Sequence, residues 1–207
     1  MLNGSEERIG TDSHGVGKER KMMIVTTRPK TDRQWETFLA EAVKTLQGQP
    51  LVRITLDAVQ AVDCSALLKG KTPAPTKGDW DANPRTLLTV LTYCYATGVY
   101  NPGDIEDSIQ EDQSVSYLAA RTFPEAVVLR RFRREHRTLI REVLVRVFER
   151  ISVVMSLNLD PLRLEPEQWA EELARADLRP EIRVQFARLA EERILLALLW
   201  DGPAMRD

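Results

Sequence analysis

The segment FPEAVVLRRFRREHRTLIREVLVRVFERI, from Phe123 to Ile151, predicts one long amphipathic helix at the centre of the fold. Pro124 suits a first helical turn, because its missing N–H would have no partner there. Apolar residues then recur at three- and four-residue steps, the spacing of one helix face. They are Val128, Leu129, Phe132, Leu139, Ile140, Val143, Leu144, Val147, Phe148 and Ile151. The apolar face predicts that this helix belongs to the core.

The rest of the predicted helix is rich in arginine. From Arg130 to Arg150, eight arginines minus three glutamates give +5, in a chain whose net charge is −2. Three interpretations are open: a solvated face with intramolecular partners, a nucleic-acid interface, and a membrane-surface contact. Clustered like charges repel unless a partner offsets them, and guanidinium groups bind phosphates and guanine edges. The cluster therefore favours nucleic acid, and the helix lacks a wide aromatic face for insertion into a membrane.

The composition is that of an ordinary globular protein. The 207 residues suffice for one or two domains, with 29% charged and 43% hydrophobic residues. Because the chain is slightly acidic overall, contact with a polyanion has to come from a local patch. No apolar run is long enough to span a bilayer, so no membrane partner is expected.

Catalytic and metal-binding motifs are not found. Cys64 and Cys94 are isolated, and neither has metal-ligand spacing with His14 or His136, so two reduced thiols in a cytoplasmic protein are expected. Phosphate-binding loops, dinucleotide fingerprints, nucleophile elbows and zinc-protease motifs are missing. The sequence predicts a protein that is not an enzyme, with no catalytic residue, no metal and no cofactor.

The N-terminal part begins with a predicted flexible tail, residues 1–30. Within it, Met22 to Thr27 has the β-branched residues of a short strand. Thr31 and Gln34 form a capping-box pattern that opens an amphipathic helix ending near Gly48. The next segment, Leu51 to Thr55, alternates, so it either pairs with Met22–Thr27 in a minor two-stranded ribbon or leads into a helix.

The middle of the chain predicts a cluster of short helices. The Pro/Gly/Lys-rich segment 69–80 is a loop, in which Lys69, Lys71 and Lys77 are candidate phosphate contacts. Asn83-Pro84 and Asn101-Pro102 each combine a cap with proline at the first helical position. The second of these helices is acidic and runs to about Glu111, and a short helix follows before Phe123. Short helices in this order are typical of a helix-turn-helix cluster, in which one helix enters the major groove.

The C-terminal part, residues 159–207, is predicted as a helical hairpin on the main domain, 31–158, or on a partner. Asp160-Pro161 ends the long helix, and Glu165-Pro166 and Arg179-Pro180 begin two more. The run ILLALLW, residues 194–200, is more apolar than a lone surface helix would carry. Burial of this run in the core is favoured, and a homodimer interface is the alternative.

Two segments together resemble a known family. TLLTVLTYCYATGVYNPGDIEDSIQEDQSVSYLA, from Thr86, followed by FPEAVVLRRFRREHR, from Phe123, is similar to the N-terminal, InsH-like domain of bacterial insertion-sequence DDE transposases. The resemblance covers roughly residues 52–155. It rests on the Tyr95-Ala-Thr-Gly-Val99 turn, on Ile105-Glu106, on Tyr117-Leu118, on the Pro124-Glu125 pair and on Arg131-Phe132-Arg133 with His136.

The resemblance implies a helical module that contributes binding to terminal-repeat DNA. In that family a separate RNase H-like domain carries three catalytic carboxylates, whereas this chain ends at Asp207, which implies a truncated, split or repurposed module. The chain also departs from the family pattern. Asn101 to Asp104 replace residues that are commonly Ser, Arg or Lys, and Val128 replaces a frequent threonine whose hydroxyl would reach a phosphate.

The sequence thus predicts an all-α helical bundle with a helix-turn-helix-like core, whose function is non-catalytic binding of duplex DNA. The predicted contacts are Arg130, Arg131, Arg133, Arg134, Arg137, Arg141, Lys69, Lys71 and Lys77. A DNA-binding protein of this kind would be cytoplasmic and associated with the bacterial nucleoid. The alternative function is a protein-interaction or oligomerisation module that uses the apolar run at 194–200.

Overall fold

A computed structural model describes residues 31–65, 83–176 and 178–202, and those residues form helices and turns without a strand. The predicted all-α fold is confirmed. The helices are α1 (Asp32–Leu46), α2 (Gln49–Gln60), α3 (Pro84–Thr97), α4 (Pro102–Glu111), α5 (Gln113–Leu118), α6 (Ala126–Glu135), α7 (Arg137–Leu157), α8 (Gln168–Arg175) and α9 (Pro180–Leu199), with a 3-10 turn at Pro161–Arg163. None of these helices is long and apolar enough to cross a bilayer.

The helix starts follow the local signals in the sequence. Thr31 and Gln34 form the predicted capping box, in which the Thr31 backbone N–H donates to Gln34 Oε1 at 3.1 Å and the Gln34 N–H donates to Thr31 Oγ1 at 3.4 Å. Asn83 caps α3 by accepting from the Arg85 N–H at 2.8 Å, and Asn101 caps α4 by accepting from the Gly103 N–H at 3.1 Å. These starts confirm the sequence prediction.

The strand alternative for Leu51–Thr55 is wrong, because these residues lie inside α2. Leu51, Ile54 and Ala58 are buried at helical spacing, so packing on the core selects the helix over the local alternation. The other half of the predicted ribbon, Met22–Thr27, lies outside the described residues, as do the rest of the predicted tail 1–30 and the loop with Lys69, Lys71 and Lys77.

The predicted single long helix is also corrected: it is two helices, α6 and α7, that meet at His136. The backbone of His136, at φ −118° and ψ 25°, leaves the helical region, so α6 ends at Glu135 and α7 begins at Arg137. The imidazole of His136 packs on the ring of Phe132 at a centroid distance of 4.5 Å. The two halves have different neighbours, since α6 packs on α3 and α4 whereas α7 packs on α1, α2, α8 and α9 as well as α3.

Helix α7 is the centre of the bundle. Ile140, Val143, Leu144, Val147 and Phe148 are completely buried along it. Trp169 of α8 and Phe186 of α9 belong to the same core as the buried residues of α1 to α7. The principal neighbour of both α8 and α9 is α7.

The two thiols differ in burial, which gives a first prediction. Cys94 is completely buried and burial raises its pKa to about 12, whereas Cys64 is half-buried, with burial as the main cause of its raised pKa. A disulfide reagent at pH 8 is therefore expected to modify Cys64 slowly in the folded protein and to leave Cys94 unmodified, with both reacting in denaturant. The Cys64→Ser variant should show no reaction when folded, and rapid labelling of that variant would contradict the burial of Cys94.

Candidate nucleic-acid interface

The six arginines predicted to bind DNA lie on two consecutive helices. Four are on α6 and two are on the first turns of α7, and the list is Arg130, Arg131, Arg133 and Arg134, then Arg137 and Arg141. Arg131, Arg134, Arg137 and Arg141 are exposed, Arg130 is half-buried and Arg133 is buried. The structure therefore splits a set that the sequence treats as one surface.

Arg133 corrects the prediction, because its side chain is completely buried. Its guanidinium donates to the Tyr100 carbonyl at 3.1 Å and to the Tyr95 hydroxyl at 3.5 Å, and it forms an ion pair with Asp201. Burial alone would lower the pKa of Arg133, but the hydrogen bonds that it donates to Asp201 and Tyr95 outweigh burial and raise that pKa. The arginine is thus a charged structural residue inside the protein, and its guanidinium cannot reach a phosphate in this structure.

The signal that places Arg133 inside was present in the sequence. Arg133 follows Leu129 by four residues, so the two side chains share a helix face, and Leu129 is completely buried. The counter-ion could not be read from the sequence, because Asp201 lies 68 residues further along the chain.

Three of the exposed arginines, Arg134, Arg137 and Arg141, have carboxylate partners on or next to α9. Arg134 Nε lies 2.9 Å from Asp201 Oδ2, and Arg141 Nε lies 3.4 Å from Glu191 Oε2. Arg137 also pairs with Glu191. The first of the three interpretations, a solvated face with intramolecular partners, therefore accounts for part of the arginine charge.

The pairing leaves an excess of positive charge. Among the described residues, Arg133 and Arg134 share Asp201, and Arg137 and Arg141 share Glu191, so these four cations face two carboxylates. The arginines of these pairs differ in exposure. The side chain of Arg133 is buried, whereas those of Arg134, Arg137 and Arg141 are 39%, 43% and 44% exposed. Exposed ion pairs contribute about 0–1 kcal/mol, so a phosphate group can compete with these carboxylates for the exposed guanidinium groups.

In the described part of the chain, the acidic helix α4 does not supply the carboxylates that pair with Arg133, Arg134, Arg137 and Arg141. It packs on α6. Arg133 and Arg134 pair instead with Asp201, and Arg137 and Arg141 pair with Glu191. Asp104 of α4 accepts instead from the Asn101 side-chain amide at 3.1 Å.

Arg193, on α9, binds the C-terminal end of α3. Arg193 Nη1 donates to the carbonyls of Tyr95 and Ala96 at 2.6 and 2.5 Å, in the last turn of α3. Carbonyl oxygens at a helix C-terminus attract a cation, since they lack helical partners and carry the negative end of the dipole. Arg133 and Arg193 thus both donate hydrogen bonds to the segment from Tyr95 to Tyr100.

A second buried polar cluster, outside the predicted site, is centred on Asp57. Its Oδ2 accepts from Trp169 Nε1 at 2.7 Å and from Arg53 Nε at 3.1 Å. The guanidinium of Arg150 stacks over the Trp169 ring at 5.3 Å from the centroid and donates to the Asp57 carbonyl at 3.4 Å. Burial lowers the pKa of Arg150 to about 10, with Arg146 adding to the effect, so Arg150 remains charged at neutral pH.

The apolar run at 194–200 is only partly buried, which corrects the favoured prediction. Ile194 and Ala197 are completely buried, as expected for a helix on the core. Leu198 is half-buried, and the four remaining side chains are exposed, by 47% for Leu195, 45% for Leu196, 77% for Leu199 and 55% for Trp200. The last two turns of α9 therefore present large apolar side chains to solvent.

In the described part of the chain, no three His, Cys, Asp or Glu side chains lie close enough together to hold a metal ion.

Comparisons with family models, with curated proteins and with solved structures found no match to this chain.

Proposed function

We propose that this protein is a non-catalytic DNA-binding module that uses the exposed arginines of α6 and the start of α7. The residues are Arg131, Arg134, Arg137 and Arg141. This is the function that the resemblance to transposase N-terminal domains implies, without the buried Arg133 and the half-buried Arg130, and without the three lysines that lie outside the described residues. A protein with this function acts in the cytoplasm, on the bacterial nucleoid.

The proposal rests on the charge balance in the described residues: Glu191 of α9 and Asp201 after it are the two carboxylates that pair with four arginines of α6 and α7. Since Arg133 is buried with Asp201, the exposed Arg134 shares a carboxylate whose charge is already offset, and Arg137 and Arg141 divide one charge between them. Exposed arginine that lacks a full counter-charge attracts phosphate, because guanidinium binds phosphate oxygens through two N–H groups.

The spacing of the cluster suits a nucleic-acid backbone. Glu191 and Asp201 are ten residues apart, and most of that distance lies in α9, which ends at Leu199 and rises 1.5 Å per residue, so the arginines that pair with them are spread over roughly 12–15 Å. One strand of B-form DNA carries a charge every 3.4 Å along the helix axis, so this length faces on the order of four phosphates. The site thus supports backbone contacts, which position a protein on DNA without specifying its sequence.

The test is fluorescence anisotropy with a labelled random-sequence duplex, at about 50 and 200 mM salt. The Arg131/Arg137/Arg141→Ala triple variant is expected to lose three phosphate contacts, which lowers the slope of log affinity against log salt by about 2–3. These three contacts alone account for a fall in affinity on the order of 40-fold between the two salt concentrations.

The matched control is the Arg33/Arg163/Arg175→Ala triple variant. It removes the same charge from three exposed arginines elsewhere, two of which also form exposed ion pairs with nearby carboxylates. The control should bind DNA like the unchanged protein. The proposal fails when the unchanged protein does not bind at low salt, or when both triple variants give the same salt dependence.

A further inference from the structure

The C-terminal end of α9 carries an apolar strip that no described part of the chain covers. The strip consists of Leu195, Leu196, Leu199 and Trp200, each at least 45% exposed. Residues 195, 196 and 199 are helical neighbours, because side chains three and four positions apart lie side by side, and Trp200 continues the strip at the helix end. From Ile194 to Trp200 the chain holds no charged residue.

The other side of the same turns is rigidly held. Ile194 and Ala197 are buried in the core. Asp201, directly after the strip, is fixed by Arg133 and Arg134. The strip therefore cannot fold back into the core without breaking the buried ion pair between Arg133 and Asp201. Its exposure is a property of the packed fold.

We propose that this strip is the contact surface of a homodimer, in which α9 of one copy packs on α9 of a second copy. A two-fold dimer needs only one patch that is complementary to itself. An uncharged ridge of leucines with one tryptophan meets that requirement, since two such ridges approach without opposing like charges. The proposal concerns a different surface from the arginine cluster and does not depend on DNA binding.

The exposed area is sufficient for a modest dimer. From their exposed fractions, the four side chains present on the order of 500 Å² of mostly apolar surface, which is at the upper end for a single patch on a monomer. Two copies would bury on the order of 1,000 Å² in total, close to the lower limit for a specific interface. A dimer of this size is expected to dissociate in the micromolar range.

The dimer has a consequence for the neighbouring arginines. Glu191 and Asp201 lie on or directly after α9 and bind the arginine cluster. A two-fold axis at the end of α9 would therefore place two copies of that cluster in one assembly. Dimers of this symmetry bind paired half-sites when they bind DNA.

The test is sedimentation velocity of the full chain from about 2 to 200 µM, where the monomer mass is 23.6 kDa. The unchanged protein is expected to reach twice that mass as concentration rises. The Leu195→Glu/Leu199→Glu variant should stay monomeric with unchanged circular dichroism. The matched control, Val184→Glu/Tyr117→Glu, also introduces two charges at exposed apolar residues, 65% and 68% exposed, and should dimerise like the unchanged protein.

A milder variant, Leu199→Ala/Trp200→Ala, protects the test against misfolding and should raise the dimer dissociation constant at least about tenfold. The proposal is overturned by a monomer at every concentration, which would mean that a residue range outside the described structure or a different protein covers the strip. Dimers that persist in the Leu195/Leu199 variant would overturn it as well. Either result leaves the DNA-binding proposal to its own experiment.

Discussion

Replacing Asp201 by alanine is expected to lower the free energy of unfolding by about 3–5 kcal/mol, because it removes the counter-ion of a buried arginine. Arg133 is completely buried, and without Asp201 its charge would keep only the Tyr100 carbonyl and the Tyr95 hydroxyl as acceptors. A buried charge that loses its partner keeps its desolvation cost and loses the attraction that offset it. In a chain of this size the midpoint of thermal unfolding should fall by roughly 10 °C.

The matched control is Glu191→Ala. Glu191 also pairs with two arginines from the same region, but those arginines are exposed, so the loss should stay within about 1 kcal/mol. Urea unfolding monitored by circular dichroism measures both variants. Equal losses in the two variants would show that the burial of Arg133 does not matter for stability.

A double variant separates the ion pair from the rest of the side chain. In Arg133→Met/Asp201→Ala the buried charge is gone along with its partner, so this double variant is expected to be more stable than Asp201→Ala alone. Simple addition of the two single losses would contradict the coupling between Arg133 and Asp201.

Replacing Trp169 by alanine is expected to cost about 3–5 kcal/mol, the second large effect. Trp169 is only 2% exposed, so its removal leaves a large cavity between α8 and α7. It also takes away the donor to Asp57 Oδ2 at 2.7 Å and the ring under Arg150. Asp57 and Arg150 are both buried, so each would be left with one contact fewer in the interior.

The Trp169→Phe variant distinguishes packing from hydrogen bonding. Phenylalanine keeps most of the ring volume but cannot donate to Asp57, so a loss of about 1–3 kcal/mol is expected. Tyr117→Ala serves as the control, because Tyr117 is 68% exposed and its removal should change stability by no more than about 0.5 kcal/mol. A Trp169→Ala protein as stable as this control would mean that the Asp57 cluster contributes little.

Helix starts could be predicted from the sequence because their causes are local. The Asn83-Pro84 and Asn101-Pro102 pairs act within one turn, through a side chain that accepts from a nearby N–H and a proline that needs no partner. The apolar period likewise placed the core face of α7. The break at His136 could not be predicted, since the position holds neither proline nor glycine and the change of neighbours between α6 and α7 depends on the whole bundle.

The candidate site was harder to predict because arginine plays two roles in this chain. Arg133 and Arg150 look like surface residues by charge alone, yet both are buried, with acceptors from distant segments. The partners Asp201 and Glu191 lie 50 to 68 residues further along the chain than the arginines that they bind, from 191 − 141 = 50 to 201 − 133 = 68. The end of α9 shows the reverse error, since its leucines look like core residues and the helix extends beyond the core.

The buried ion pair between Arg133 and Asp201 also limits the order in which the chain can fold during translation. Arg133 leaves the ribosome 68 residues before its counter-ion does. Until Asp201 emerges, the guanidinium has its lowest free energy in water, so α6 cannot pack on α3 and α4 in its final position. The bundle is therefore expected to close only when synthesis has reached the end of α9, and a nascent chain stalled before that point should remain open to proteases around α6.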